Sequence, residues 1–193
     1  MSGAVAGADG KLRCPWALSA PDYLAYHDDE WGRPIRARGA AADRAMYERM
    51  TLEAFQSGLS WLTILRKRPA FRSAFADFDL ETVASYTDKD VERLLSDAGI
   101  VRNRAKIEAA VANARAALDL PTGLNAHLRG FAPATQPAAP QKLGDVPSQT
   151  AESVALAKDL RKRGFRFVGP TTLYALMQAT GLVNDHLSDC WRR

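Results

Sequence analysis

Apolar residues recur every three to four positions through most of the chain, the period of helices with one buried face. In "DRAMYERMTLEAFQSG", Met46 and Met50 fall on one stripe, with Asp43 as the capping start and Gly58 as the stop. "TDKDVERLLSDAG" opens on Thr87 with Asp90 three residues later, a variant of the capping box, and stops at Gly99. "NRAKIEAAVANARAALDL" sets Ile107, Val111, Ala114 and Leu118 at helical spacing, and Pro121 closes it. "FAPATQPAAPQKLGDVPS", rich in proline and polar residues, reads as a connecting loop. "AESVALAKDLRKR" is a helix ended by Gly164, and "PTTLYALMQAT" is another, with Pro170 at its first position and Gly181 just past its end. Only "GFRFVG" separates these two, so they form a helical hairpin. No alternating run of useful length suggests a strand, and no segment repeats. The pattern predicts an all-α protein.

Composition narrows this picture little. A chain of 193 residues with 47% hydrophobic and 25% charged residues has enough of both for a folded core, which argues against disorder. Residues 1–12 read as a flexible arm and 13–193 as one unit of one or two helical lobes. No apolar stretch approaches the ~20 residues that cross a bilayer, and "MSGAVAGADGKLR" lacks the basic start and apolar core of an export signal. Two cysteines make no disulfide framework, so a reducing cytoplasm is the expected compartment.

The net charge of +4 is too small to imply nucleic acid by itself, but the basic residues cluster at "RKRPAFR", "RNRAK" and "RKRGFR". Each cluster reads equally as a solvated helix end. In the hairpin, Gly169 before a fresh helix N-terminus lets backbone amides approach an anion, with Lys162 and Arg166 close by. The anion suited to such a place is a nucleic-acid phosphate; a tight turn needs glycine in any case. The two cysteines, Cys14 and Cys190, lie at opposite ends of the chain, each with a histidine partner, His27 and His186. His186 and Cys190, at i and i+4, share one face if that segment is helical. Two thiolates and two imidazoles form a common structural zinc set. The alternative is a pair of buried cysteines and two ordinary histidines. The third histidine, His127, is expected to be structural or exposed.

With these residues in view, "RCPW", "YLAYHDDEWGRP", "LEAFQSGLSW", "DAGIVRNRAKIEAAVANAR", "RGFRFVG" and "LVNDH" together make the chain resemble the 3-methyladenine DNA glycosylase I family. These are bacterial base-excision enzymes of the helix-hairpin-helix superfamily. The resemblance runs from Arg13 to Cys190, leaving out the N-terminal arm and the loop near 133–147. It implies a helix-hairpin-helix fold whose terminal segments are joined by one structural zinc on Cys14, His27, His186 and Cys190. It also implies a base pocket in which Glu53 is the catalytic, base-reading acid, Trp61 stacks on the base, and Tyr26 and Trp16 complete the wall. Independently of the resemblance, Glu53 continues the Met46–Met50 stripe, where a carboxylate is costly to bury without a partner. An internal hydrogen bond to Glu53 is the bland explanation.

The implied activity is hydrolytic excision of flipped 3-methyladenine from alkylated double-stranded DNA, with free 3-methyladenine as product. Gly58 and Leu59 would fill the space the base vacates, while Lys162, Arg166 and Gly169 would meet the DNA backbone. Many relatives carry an aspartate after the hairpin; here Asn184 stands at the simplest match with Asp185 beside it, and neither is assigned a catalytic role. Lyase relatives carry a lysine where this chain has Thr171, so no lyase step is expected. A monomer working on DNA in the bacterial cytoplasm, at the nucleoid and without membrane contact, completes the expectation. The competing readings are a non-catalytic zinc-containing lesion- or DNA-binding protein of the same fold, and a metal-bound helical protein unrelated to DNA.

Overall fold

The computed structural model describes residues 3–193. Nine α-helices carry the described chain: α1 (Pro21–Asp29), α2 (Ala40–Gln56), α3 (Trp61–Ala74), α4 (Leu80–Ala84), α5 (Asp88–Ser96), α6 (Arg104–Leu118), α7 (Leu124–Arg129), α8 (Ala151–Lys162) and α9 (Pro170–Ala179). Among the described residues, a two-stranded antiparallel ladder, β1 (Val5–Ala6) and β2 (Leu12–Arg13), is the one departure from helix among regular elements. Residues 3–12 of the expected flexible arm therefore hold a hairpin, further tied where the Gly3 amide donates to the Gln141 carbonyl. Met1 and Ser2 lie outside the described residues.

The helix α2 is the hub, packed against α3, α6, α7 and α9. Its buried positions include Met46, Tyr47, Met50, Leu52 and Phe55, which join Phe71, Phe75 and Phe78 in the main core. Aromatic edges meet faces there, as in the Phe55–Phe71 pair at 4.8 Å between centroids. The Thr87–Asp90 capping box forms as the spacing predicts, and α8 and α9 make the expected hairpin with Gly164 and Gly181 in the left-handed region.

Two local expectations fail. Asp43 does not cap α2: the helix begins at Ala40 behind Gly39, and the Asp43 carboxylate instead accepts from the Asn125 amide at the start of α7, 2.7 Å away. A long-range orphan amide thus recruits a carboxylate that local spacing assigned to its own helix. Nor is the segment from His186 to Cys190 helical, because α9 ends at Ala179 and the chain beyond it runs in turns and bends. This tail folds back over the N-terminal ladder, with the Trp191 amide donating to the Leu12 carbonyl at 2.9 Å. Among the described residues no helix is long and apolar enough to cross a membrane.

Candidate active site and metal centre

Where α1, α2, α3 and α9 converge, a cavity of about 440 Å³ opens, lined by Trp16, Tyr26, Glu53 and Trp61 among others. The four residues assigned to the base pocket are therefore neighbours in space. Trp16 comes from the turn before α1, Tyr26 from the end of α1, Glu53 from the last turns of α2, and Trp61 from the first position of α3. Tyr26 and Trp61 lie 5.5 Å apart between centroids, and Trp16 lies 6.4 Å from Tyr26. Tyr23 joins this aromatic set edge-on to Trp16, its hydroxyl accepting from the Leu62 amide at 2.9 Å. The Trp61 indole N–H is buried without a partner among the described residues.

Glu53 is 6% exposed, and no hydrogen bond reaches its carboxylate among the described residues. Burial pushes its carboxyl up to about 8, and the charge of Arg49 offsets only part of that. The internal hydrogen bond that would make Glu53 an ordinary core acid is absent among the described residues. Burial, with Glu53 second, likewise raises Tyr26 above the ordinary phenol range. An acid left poised and unpaired, facing aromatic rings, can accept hydrogen bonds from a ring amine or complement a cation.

Sequence reasoning missed part of the lining. Gln56 follows Glu53 by three residues, a signal that helical spacing did carry. Leu143 and Val146 belong to the proline-rich segment that reads as a connector, and Gln178 and Asp185 reach the cavity from α9 and the tail. No spacing rule links them to α2. The loop between α2 and α3 is held from beneath by Lys106, whose Nζ donates to the carbonyls of Phe55 at 2.9 Å and Ser57 at 2.6 Å. Above this clamp Gly58 adopts φ +79° with open space around it, a conformation glycine takes without strain, and Leu59 stands 41% exposed.

The three basic clusters differ once their partners are known. Arg66, Arg68 and Arg72 pair with Asp22, Glu30 and Glu48, and Lys67 donates to the carbonyls of Ala98 and Gly99. Arg104 pairs with Glu92, and Lys106 is buried. In the hairpin cluster Arg163 meets Asp159, whereas the side chains of Lys162 and Arg166 are exposed and have no acidic partner among the described residues. Asn113 fixes the hairpin turn by exchanging two hydrogen bonds with the Arg166 backbone, 2.7 and 3.0 Å. Gly169 precedes α9 as its N-cap, and a Cβ there would meet nothing closer than 3.8 Å. His127 ties α7 to α8 through Asp159 at 2.7 Å.

Cys14, His27, His186 and Cys190 are all buried, and their ligand atoms lie within 4.8 Å of one another. Cys190 Sγ is 3.4 Å from His27 Nε2 and 3.5 Å from His186 Nδ1, and Cys14 Sγ is 3.9 Å from the same His186 nitrogen. Tetrahedral bonds of about 2.0–2.3 Å place neighbouring ligands roughly 3.3–3.8 Å apart, so the four donors suit one ion. His27 Nδ1 is engaged by Asp28 at 2.8 Å, which leaves Nε2 turned to the cluster, and Arg13 in turn grips Asp28. Such a carboxylate behind a histidine orients a metal-binding imidazole. Gly32, at φ +74°, lets the chain pass the His186 ring; a Cβ there would come within 2.9 Å of Nε2. Trp16 links the two centres, lying 5.2 Å from His27 on one side while walling the cavity on the other.

Comparison with known proteins agrees on one family. The family model for methyladenine glycosylase matches residues 16–193. DNA-3-methyladenine glycosylase 1 of Escherichia coli (strain K12) is 44% identical over 188 residues, covering 92% of this chain and 95% of that protein. A crystal structure of 3-methyladenine DNA glycosylase I superposes with a TM-score of 0.87 at 43% identity, over 93% of this chain and 98% of that one. A variant of 3-methyladenine DNA glycosylase I in complex with 3-methyladenine gives a TM-score of 0.85 at 33% identity, over 93% and 96% of the two chains.

Proposed function

The chain belongs to the methyladenine glycosylase family, and from that premise we propose how its own residues perform the family's reaction. It is a DNA-repair N-glycosylase, a hydrolase that excises 3-methyladenine from alkylated DNA. The observation that carries the residue-level reading is the unpaired, buried Glu53 in a cavity of aromatic rings.

Methylation at N3 leaves the adenine ring of the nucleotide positively charged and a good leaving group. The protein's work is to take that nucleotide out of the stack and hold it. Trp61, Tyr26 and Trp16 offer the ring faces that suit a cationic base. Glu53, poised near 8 by burial, gives up its proton as the cation enters and accepts hydrogen bonds from the exocyclic amine. Breaking the bond from C1′ to the ring nitrogen returns an electron pair to the ring, which departs neutral, while water adds to C1′ and its surplus proton passes to solvent. Leu59 and Gly58 fill the vacated space in the duplex, and Lys162, Arg166 and the Gly169 turn hold the backbone phosphates. Thr171 supplies no amine, so the abasic strand is released uncut.

Zinc is the metal that this donor set suits, bound by Cys14, His27, His186 and Cys190 as a structural clasp between the two ends of the chain. Two thiolates and two imidazoles would supply the usual four ligands of a structural site and leave no position open for substrate. Residues 13–193 act as one unit, a monomer on double-stranded DNA in the cytoplasm. The non-catalytic reading is not favoured, because relatives 41–44% identical over most of the chain are named as DNA-3-methyladenine glycosylases.

Titration of free 3-methyladenine tests the assignment. Glu53→Gln keeps the size and part of the hydrogen bonding, and affinity should fall by about 1.5–3 kcal/mol, the range for hydrogen bonds to charged groups. Unchanged affinity with a shifted melting temperature would make Glu53 a core residue.

A further inference from the structure

The loop that carries Gly58 and Leu59 is short and open to solvent. Ser57, Gly58, Leu59 and Ser60 join α2 to α3, and all four are exposed. Local bonds tie its ends: the Leu59 amide donates to the Gln56 carbonyl at 2.6 Å, and Ser60 Oγ accepts from the Thr63 amide at 3.2 Å. Beneath it lies a buried charge that the reaction as described does not use. Lys106, near the start of α6, is 8% exposed, and its Nζ holds the carbonyls of both Phe55 and Ser57. The Phe55 carbonyl is among the last four of α2, which no amide of that helix can reach. The Ser57 carbonyl already belongs to the loop. One ammonium thus bridges the helix end and the segment that follows it.

No carboxylate pairs with Lys106 among the described residues, and burial pulls its ammonium below the ordinary lysine range. A buried cation without an acid costs stability that an apolar side chain of similar volume would not. What the ammonium supplies is a positive charge at the C-terminal end of α2 and more than one donor on a single atom. Its own base is fixed. Asn103 caps α6 by accepting from the Lys106 amide at 3.1 Å, and Ile107, next in the chain, is fully buried in the main core. The clamp therefore runs from the core through α6 to the loop. An apolar side chain entering a stacked duplex works against the cost of unstacking. A loop already ordered in the free protein leaves more of the binding energy for opening the duplex.

We propose that Lys106 is a positioning residue for base extrusion: its two hydrogen bonds hold residues 57–60 in the shape that sets Leu59 into the space left by the flipped nucleotide. The proposal rests on the glycosylase reading and on the place given to Leu59 above. Lys106 is not among the residues lining the cavity, and it lies on a different element from the hairpin. Its effect passes through the loop alone, so reading of the free base and contacts to the phosphates are left as they are.

Lys106→Met in the full-length protein removes the charge and the donors while keeping an unbranched side chain. Single-turnover excision from a duplex holding one 3-methyladenine should slow at least tenfold. Affinity for a duplex carrying a tetrahydrofuran abasic site should fall at least tenfold, while free 3-methyladenine and undamaged duplex bind within twofold of wild type. Leu59→Ala should reproduce this pattern, and the double variant should be no more than twofold slower than the slower single one. Excision and abasic-duplex affinity both within twofold of wild type overturn the proposal. So does a loss of free-base affinity as large as the loss of rate, which would make Lys106 a support of the cavity. Losses that multiply in the double variant also overturn it, since Lys106 would then act apart from Leu59. Should Lys106→Met fail to fold, Lys106→Gln keeps donors at the site and should slow excision several-fold, with wild-type behaviour there counting against the proposal. The wild type separates the readings beneath it. No release of base sinks the glycosylase assignment, and release without preference for the abasic duplex sinks the place of Leu59 and this proposal together. Normal wild-type behaviour with an unaffected Lys106 variant sinks only the role of Lys106.

Discussion

Glu53 shows how a single residue can be legible in two ways. Its place on the Met46–Met50 stripe marks it as a buried acid by spacing alone, and the cavity explains why it is buried without a partner. Its raised carboxyl also makes a claim about stability. An acid at about 8 when folded and 4.5 when unfolded keeps its proton in the folded state after the unfolded chain has released it. Between those values the folded state binds more protons, so stability falls as pH rises from about 5 to 8. The full gap corresponds to an upper bound of about 5 kcal/mol. Melting temperature followed across that window should decline in wild type and decline much less in Glu53→Gln. The opposite drift, stability lost on acidification, belongs to Asp28, which Arg13 and His27 hold down to about 2 against its burial, and operates at lower pH. Tyr23 and Gln178 escape a reading of the sequence, and Asp185 is noted there without a role, because nothing local distinguishes a cavity-facing side chain from a core one. Only the packing of α1 and α9 around α2 brings them together.

Elements are legible where their signals are local. The capping box at Thr87, the proline at the start of α9 where no N–H needs a partner, and the glycines that end α8 and α9 all act within a few residues, and spacing exposes them. Asp43 and the His186–Cys190 segment mislead for the complementary reason. Asp43 answers an amide on α7, and the tail is shaped by the ladder and the cysteine–histidine cluster, both remote in sequence. The hairpin carries its own prediction. Lys162 and Arg166 project from it without acidic partners among the described residues, whereas the other two clusters are largely spent on internal bonds. The slope of log affinity for undamaged duplex against log salt should shrink by about 1 for each of these two residues replaced by alanine. The loss should be alike for any sequence. An unchanged slope in the double variant would return the cluster to the solvated surface.

At the scale of the whole molecule, the two ends of the chain are fastened beside the base cavity. Trp16 stands against His27 and walls the cavity, so the cysteine–histidine cluster and the cavity share one aromatic wall. Elemental analysis of protein purified without chelators should find about one zinc per chain. Asp28→Asn, which loosens His27 and Arg13, should weaken the metal by about 10–100-fold and lower the melting temperature. Protein with no stoichiometric metal would remove the clasp from the account. The fold, the cavity and the family all converge on base removal, and one measurement reaches that claim directly. Duplex DNA treated with a methylating agent is incubated with the full-length protein, and the bases set free are separated and identified. Catalytic release of 3-methyladenine is expected, leaving abasic strands uncut. No release above the uncatalysed background, from folded and metal-replete protein, would contradict it.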